Sequence, residues 1–299
     1  MDQGNSEELS SDKSRILSGG IRNMEKRALK VFLIWCIGCS AVVEALYIIL
    51  ARVTGVTYDF LILLLMWVPG ITGIICTRKY FPKQNYLGIR IKGGQYIFWG
   101  IFIPIIYLFL SYKLAWMIFS DPTTGFEIVP AAFGYADMKN PIVFWVVFSI
   151  IGLLSSCLSA LGEELGWRGF MVPTMAKVMD KKKAYVLSGI IWAVWHMPLM
   201  LAGLYEADTV MWYGLLLFVC ELTIMAVIMA VIREKSNSVL PAVLIHASHN
   251  FYDQTILQAV TTDKRVSYLA GETGALTIVI AGIILAILLW AVREKKETK

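Results

Sequence analysis

The stretch IVFWVVFSIIGLLSSCLSAL, residues 142–161, holds no charged side chain and runs straight into Gly162-Glu163-Glu164. A helix of about 20 apolar residues crosses the hydrocarbon core of a bilayer, and this run has that length before its first carboxylate. Working outward, the same pattern recurs along the chain. With 58% hydrophobic and 16% charged residues and a mean hydropathy of +0.66, the composition lies outside the balance of a soluble domain. The predicted fold class is all-α, a polytopic helical membrane bundle, placed by these spans in the cell membrane with the lipid bilayer as its surroundings.

Eight spans are predicted, near residues 31–51, 60–77, 96–119, 142–161, 184–204, 210–232, 239–259 and 275–292, and the seventh is the least apolar. Residues 1–30, rich in Ser, Gly and charges, read as a flexible cytosolic tail. Residues 31–292 form one transmembrane domain, and 293–299 a cytosolic C-terminal tail. The first apolar segment follows a long polar leader and lacks a small-residue cleavage pattern, so it is expected to stay as a span.

The loop charges set the orientation. Arg78, Lys79, Lys83, Arg90 and Lys92 follow span two, Lys177 with Lys181 to Lys183 follows span four, and Arg233 and Lys235 follow span six. Arg293, Lys295, Lys296 and Lys299 close the chain. The alternate segments carry Asp121, Glu127, Asp137, Glu206 and Asp208. By the positive-inside tendency both termini are expected in the cytosol, with Asp263-Lys264-Arg265 as the exception. The net charge of +5 is scattered over tails and loops. That distribution argues against nucleic-acid binding. Cys36, Cys39, Cys76, Cys157 and Cys220 all fall within spans and imply no disulfide framework. Asn140-Pro141 has the form of an N-cap followed by Pro at the first helical position, and no breaker intervenes until Pro173, which predicts one helix of about thirty residues. Pro198 and Pro241 are expected to kink their spans.

Against this apolar background a few polar residues stand out. The three histidines, His196, His246 and His249, all lie in apolar stretches, where an imidazole needs a wet cavity or a partner. In Glu163-Glu164-Leu-Gly-Trp-Arg168 the spacing of Glu164 and Arg168 suits a helical ion pair, leaving Glu163 to point elsewhere. Gly162, Gly166 and Gly169 permit close helix approach at the same turn. His246 and Asn250 lie about 40° apart around a helix and point into one cavity, while His249 lies about 60° to the other side. Each polar residue, taken alone, also fits a plain interhelical hydrogen bond. Glu44, Lys113 and Glu221 sit inside spans and are read as structurally paired or snorkelling. Trp167, Trp192 and Trp195 are candidates to line a cavity, with the remaining Trp and Tyr forming interfacial belts.

Taken in order, Glu-Glu-x-x-x-Arg (163–168), Trp192-x-x-x-His196 and His246-x-x-x-Asn250 resemble the motifs of the CPBP family, the CAAX-protease and bacteriocin-processing group also called Abi, which includes the Ras-converting CAAX endopeptidase. The resemblance covers roughly residues 140–255. Trp192 stands where many members have Phe, and Leu87-Gly88-Ile89-Arg90 resembles a segment common before this core. The resemblance implies an intramembrane glutamic endopeptidase with no cofactor and no metal. In it Glu163 and His196 activate water, His246 and Asn250 stabilise the oxyanion, and Glu164, Arg168, Trp192 and His249 support them. The implied partner is a peptide or the tail of a membrane protein; oligomeric state is left open. Two other readings use the same residues: a zinc hydrolase on Glu163, His196 and His246, although no H-E-x-x-H motif is present, and an immunity or scaffolding protein without turnover. Transport is a weaker option, since no internal repeat is evident.

Overall fold

A computed structural model describes residues 3–91, 94–120, 128–132, 134 and 141–297. The cap assigned to Asn140, the acidic loop positions Asp121, Glu127 and Asp137, and the basic residues Lys92 and Lys299 lie outside the described residues. Within them the chain is helical, with no strand. The principal helices are α1 (Gln3–Thr54), α2 (Asp59–Tyr80), α3 (Gly94–Phe119), the short α4 (Ile128–Ala132), α5 (Pro141–Glu164), α6 (Val172–Val178), α7 (Lys181–Leu201), α8 (Met211–Ser236), α9 (Leu240–Asn250), α10 (Gln258–Val260) and α11 (Ala275–Glu297).

Among the described residues, seven helical stretches are long and apolar enough to cross a membrane, and they correspond to seven of the eight expected spans. The remaining one, residues 240–260, is helical throughout. Its His246, His249, Asn250, Asp253 and Gln254 lower its apolarity, for reasons that the functional site makes plain. The side of the membrane on which the termini lie is carried by the loop charges alone.

Exposed side chains mark the lipid face. On α5, Val146, Ile150, Leu154 and Leu158 recur every fourth residue and are all exposed, an apolar stripe far larger than a water-facing surface tolerates. On α1 the opposite stripe, Ala28, Phe32 and Cys36, is fully buried. Here the structure departs from the tail expected over residues 1–30. Helix α1 continues back past residue 30, because Ala28 packs inside and the buried Glu25 pairs with Lys177 Nζ at 2.9 Å on α6.

Small residues bring α2 against α5. A Cβ built on Gly162 would lie 2.7 Å from the Met66 carbonyl oxygen, and one on Gly166 would lie 2.4 Å from Pro69 Cβ, so the two backbones touch where the Glu-Glu motif begins. Gly169 is less tightly enclosed, its nearest neighbour at 3.3 Å. The Leu87-Gly88-Ile89-Arg90 segment is a turn that grips the α8–α9 junction. Gly88 has a φ of +71°, its carbonyl accepts from Val239 N–H at 2.9 Å, and the Arg90 carbonyl accepts from Ser238 Oγ.

Two helices change pitch at the motifs. A π-helical turn, Leu165–Met171, follows Glu164, and another, Phe251–Leu257, follows Asn250. The first corrects the simple thirty-residue helix expected to stop at Pro173: the helical path continues to Val178, with Pro173 in the first turn of α6, where its missing N–H is tolerated. Pro241 likewise stands in the first turn of α9 and starts that helix instead of kinking it. Pro198 lies inside the last turn of α7.

Candidate active site

Helix α5 delivers Glu163 and Glu164 as consecutive residues, and they serve different neighbours. Glu163, 1% exposed, accepts from Trp192 Nε1 at 2.6 Å and from Trp167 Nε1 at 3.3 Å, both on Oε2. Its Oε1 makes no hydrogen bond within the protein among the described residues. Glu164 is fully buried and forms the expected i, i+4 pair with Arg168, Nη1 to Oε1 at 2.8 Å. The same Oε1 lies 3.0 Å from His246 Nδ1. One carboxylate therefore ties the α5 motif to α9. The Arg168 guanidinium stacks over the Trp192 ring at 4.1 Å, an arrangement that suits its weak hydration and planar charge.

Helix α7 delivers Trp192 and His196 one turn apart. His196 Nδ1 donates to the Trp192 carbonyl at 2.9 Å, which fixes the tautomer of a neutral ring and leaves the Nε2 lone pair free. The ring is held edge-on by Trp195 and Phe218 and stacked by Tyr205, with centroids at 4.7, 5.4 and 5.7 Å. Trp195 is itself anchored by its Nε1–H to Ser40 Oγ at 2.7 Å.

These residues enclose one cavity of about 220 Å³, onto which Glu163, Trp192, His196, His246 and Asn250 all open. Its other walls are apolar or aromatic, with Tyr47, Leu65, Met66 and Leu199 among them, and at one end the polar Gln254 and Glu272. Trp192 and Trp195 face it, whereas Trp167 is buried beside Glu163. His249 does not open onto this cavity. It turns toward Tyr107 Oη, 2.6 Å from its Nδ1, and toward Glu272, 3.4 Å from its Nε2. Lys113 is exposed on α3 as a snorkelling residue would be, while Glu221 is buried with neither carboxylate oxygen hydrogen-bonded.

Sequence reasoning missed three features. The Trp192 indole as the donor that holds Glu163, and Glu164 as the partner of His246, depend on contacts between separate helices. The third is a cluster of Asp253 and Glu272 around His249. A signal for it existed: His249 and Asp253 repeat the i, i+4 spacing of His246 and Asn250. Burial acts to raise the carboxyl of Glu272, in the loop before α11, but contact with His249 and hydrogen bonds from Tyr205 and Gln254 outweigh it and hold it well below the ordinary carboxylate range.

In this multi-pass helical membrane protein one carboxylate, two imidazoles and a carboxamide from three helices converge on a shared cavity, and the stretch that carries them is similar to a known family of membrane proteases. Residues 138–252 match a family model described as type II CAAX prenyl endopeptidase Rce1-like, close to the 140–255 expected from the motifs. Among curated proteins, CAAX prenyl protease 2 of Methanococcus maripaludis is 28% identical over 191 residues, 61% of this chain and 65% of that protein. The chain thus spans just under two thirds of that relative's length.

Proposed function

We propose that this protein is an intramembrane endopeptidase in which Glu163 is the general base and His196 its partner in activating water. The observation that carries the reading is the convergence of Glu163, His196, His246 and Asn250 on one largely apolar cavity. Oε2 of Glu163 is occupied by indole donors, so Oε1 is the atom that takes the proton as water adds to the peptide carbonyl carbon. His196 Nε2, with its lone pair directed away from the Trp192 carbonyl, orients the same water. The proton then passes to the leaving amine as the C–N bond breaks.

The oxyanion that forms falls to His246 and Asn250. Asn250 donates an amide N–H without change of charge. Glu164 Oε1, 3.0 Å from His246 Nδ1, fixes the imidazole that turns toward the oxyanion inside a poorly solvated site. Arg168 and Trp192 are positioning residues: one holds Glu164, the other Glu163.

The name of the methanococcal relative indicates the first substrate to test, a prenylated C-terminal CAAX peptide. Quenched-fluorescent peptides with and without the prenyl group, incubated with the purified protein, are expected to be cut by the wild type. Cleavage should be lost in Glu163→Gln and His196→Ala that remain monodisperse. Undiminished cleavage in either variant refutes the assignment, and a biological phenotype retained without any cleavage favours a binding protein of the same fold. A zinc hydrolase on Glu163, His196 and His246 is less well supported, because the three-residue group with ligand atoms close enough for one ion, among the described residues, lies elsewhere.

A further inference from the structure

That group stands behind the end wall of the cavity, and the hydrolytic scheme does not use it. His249, Asp253 and Glu272 are 1%, 0% and 2% exposed, and one ligand atom from each lies within 4.8 Å of the others. No Lys or Arg forms an ion pair with any of them among the described residues. Glu221 of α8 is also fully buried. Two carboxylates thus meet one imidazole in the protein interior, where an uncompensated charge costs several kcal/mol, on the order of the whole stability of a domain.

Several polar atoms of these buried groups lack a partner among the described residues. Asp253 Oδ1 accepts from Tyr112 Oη at 2.7 Å, but Oδ2 has no hydrogen bond. Neither oxygen of Glu221 has one, nor has His249 Nε2. The other side of the imidazole is held: the Tyr107 hydroxyl lies 2.6 Å from Nδ1, which leaves Nε2 turned toward Glu272. At metal sites the far nitrogen of a ligand imidazole is usually held by an outer hydrogen-bond partner, the place that Tyr107 takes here. The 3.4 Å between His249 Nε2 and Glu272 Oε1 lacks hydrogen-bond geometry. It is the separation of two ligands on a tetrahedral ion with bonds of about 2.0–2.1 Å.

We propose that His249, Asp253 and Glu272 bind a divalent transition-metal ion of the zinc or manganese type. One imidazole with carboxylates and no thiolate suits these ions, whereas Mg²⁺ retains several waters that a buried cluster excludes. The ion joins α9 to the loop before α11. Glu272 also accepts from Gln254 Nε2 at 2.8 Å and from Tyr205 Oη, and all three residues line the catalytic cavity. The metal site therefore sets one wall of the cavity without touching the reacting atoms.

The test is a metal count independent of cleavage. Purified full-length protein, stripped with chelator and dialysed separately against Zn²⁺ and Mn²⁺, is analysed by mass spectrometry of the metal, and its melting temperature is followed with and without each ion. About one equivalent is expected in the wild type and in Glu163→Gln, with a rise in melting temperature on loading. His249→Ala and the near-isosteric Asp253→Asn and Glu272→Gln should each bind at least about tenfold more weakly and lose that rise. No stoichiometric ion in the wild type, or an ion lost in Glu163→Gln and kept in Asp253→Asn, overturns the proposal.

Discussion

Glu164→Gln keeps the shape of the side chain and removes the charge that Arg168 and His246 share. Arg168 Nη1 and His246 Nδ1 both contact Oε1, at 2.8 and 3.0 Å, and all three residues are buried. Removing one partner of a buried pair typically destabilises by about 3–5 kcal/mol, because the other charge stays behind. Arg168 already has Nε and Nη2 without partners, but keeps its stacking on Trp192, worth about 0.5–2 kcal/mol, so the lower end of that range is expected. On the chemistry, the amide is a weaker acceptor and no longer holds the His246 ring as the carboxylate did. The oxyanion then loses a donor, and kcat should fall by about 10²–10³ with little change in KM, since the base and the cavity walls are untouched. Steady-state cleavage of a quenched-fluorescent peptide, paired with thermal unfolding, separates the two effects. The double variant Glu164→Gln/Arg168→Met should recover stability without recovering kcat. Wild-type kcat in folded Glu164→Gln, or recovery of both quantities in the double variant, would refute the role given to Glu164.

Trp192→Phe, which removes the 2.6 Å donor to Glu163 but keeps a ring under Arg168, should lower kcat by about tenfold or more, as expected for one hydrogen bond to a charged group. Gly166→Ala must move α2 and α5 apart by about 1 Å to relieve a contact of 2.4 Å; a stability loss of about 1–3 kcal/mol and a cleavage loss of about 10²-fold are expected, read from melting and from kcat/KM. At Gly88, where φ is +71° and an added Cβ would sit 2.1 Å from Arg233 Nη2, alanine should lower the melting temperature while leaving KM unchanged.

The helical membrane class was legible in runs such as residues 142–161, since length and apolarity suffice for a span. The candidate site was legible in part through local geometry, since Glu164 with Arg168, Trp192 with His196 and His246 with Asn250 each span one helical turn, and in part through the family resemblance, which joined the three motifs into one set. What local periodicity does not contain is which helices meet. Glu164 and His246 are 82 residues apart, and Trp192 and Glu163 are 29 apart. The polar character of the seventh segment reads as weakness when counted as hydropathy, yet that polarity equips two faces of one helix. The early part of α1 misread as a tail for a similar reason: Glu25 looks solvated until Lys177 is brought to it.

The two π turns carry a consequence for how these helices tolerate insertion and deletion. A π turn is what one extra residue leaves in an α-helix. A π turn holds its extra residue without passing a rotation on, so deleting a single residue between 169 and 171 would let the helix wind regularly and leave the chain beyond facing nearly the same way. Thr174 would keep its 3.0 Å contact with Tyr86, and α6 its place against α1. A residue gained or lost in these turns is thus absorbed locally, and the motif residues just upstream keep their relation to the elements that follow.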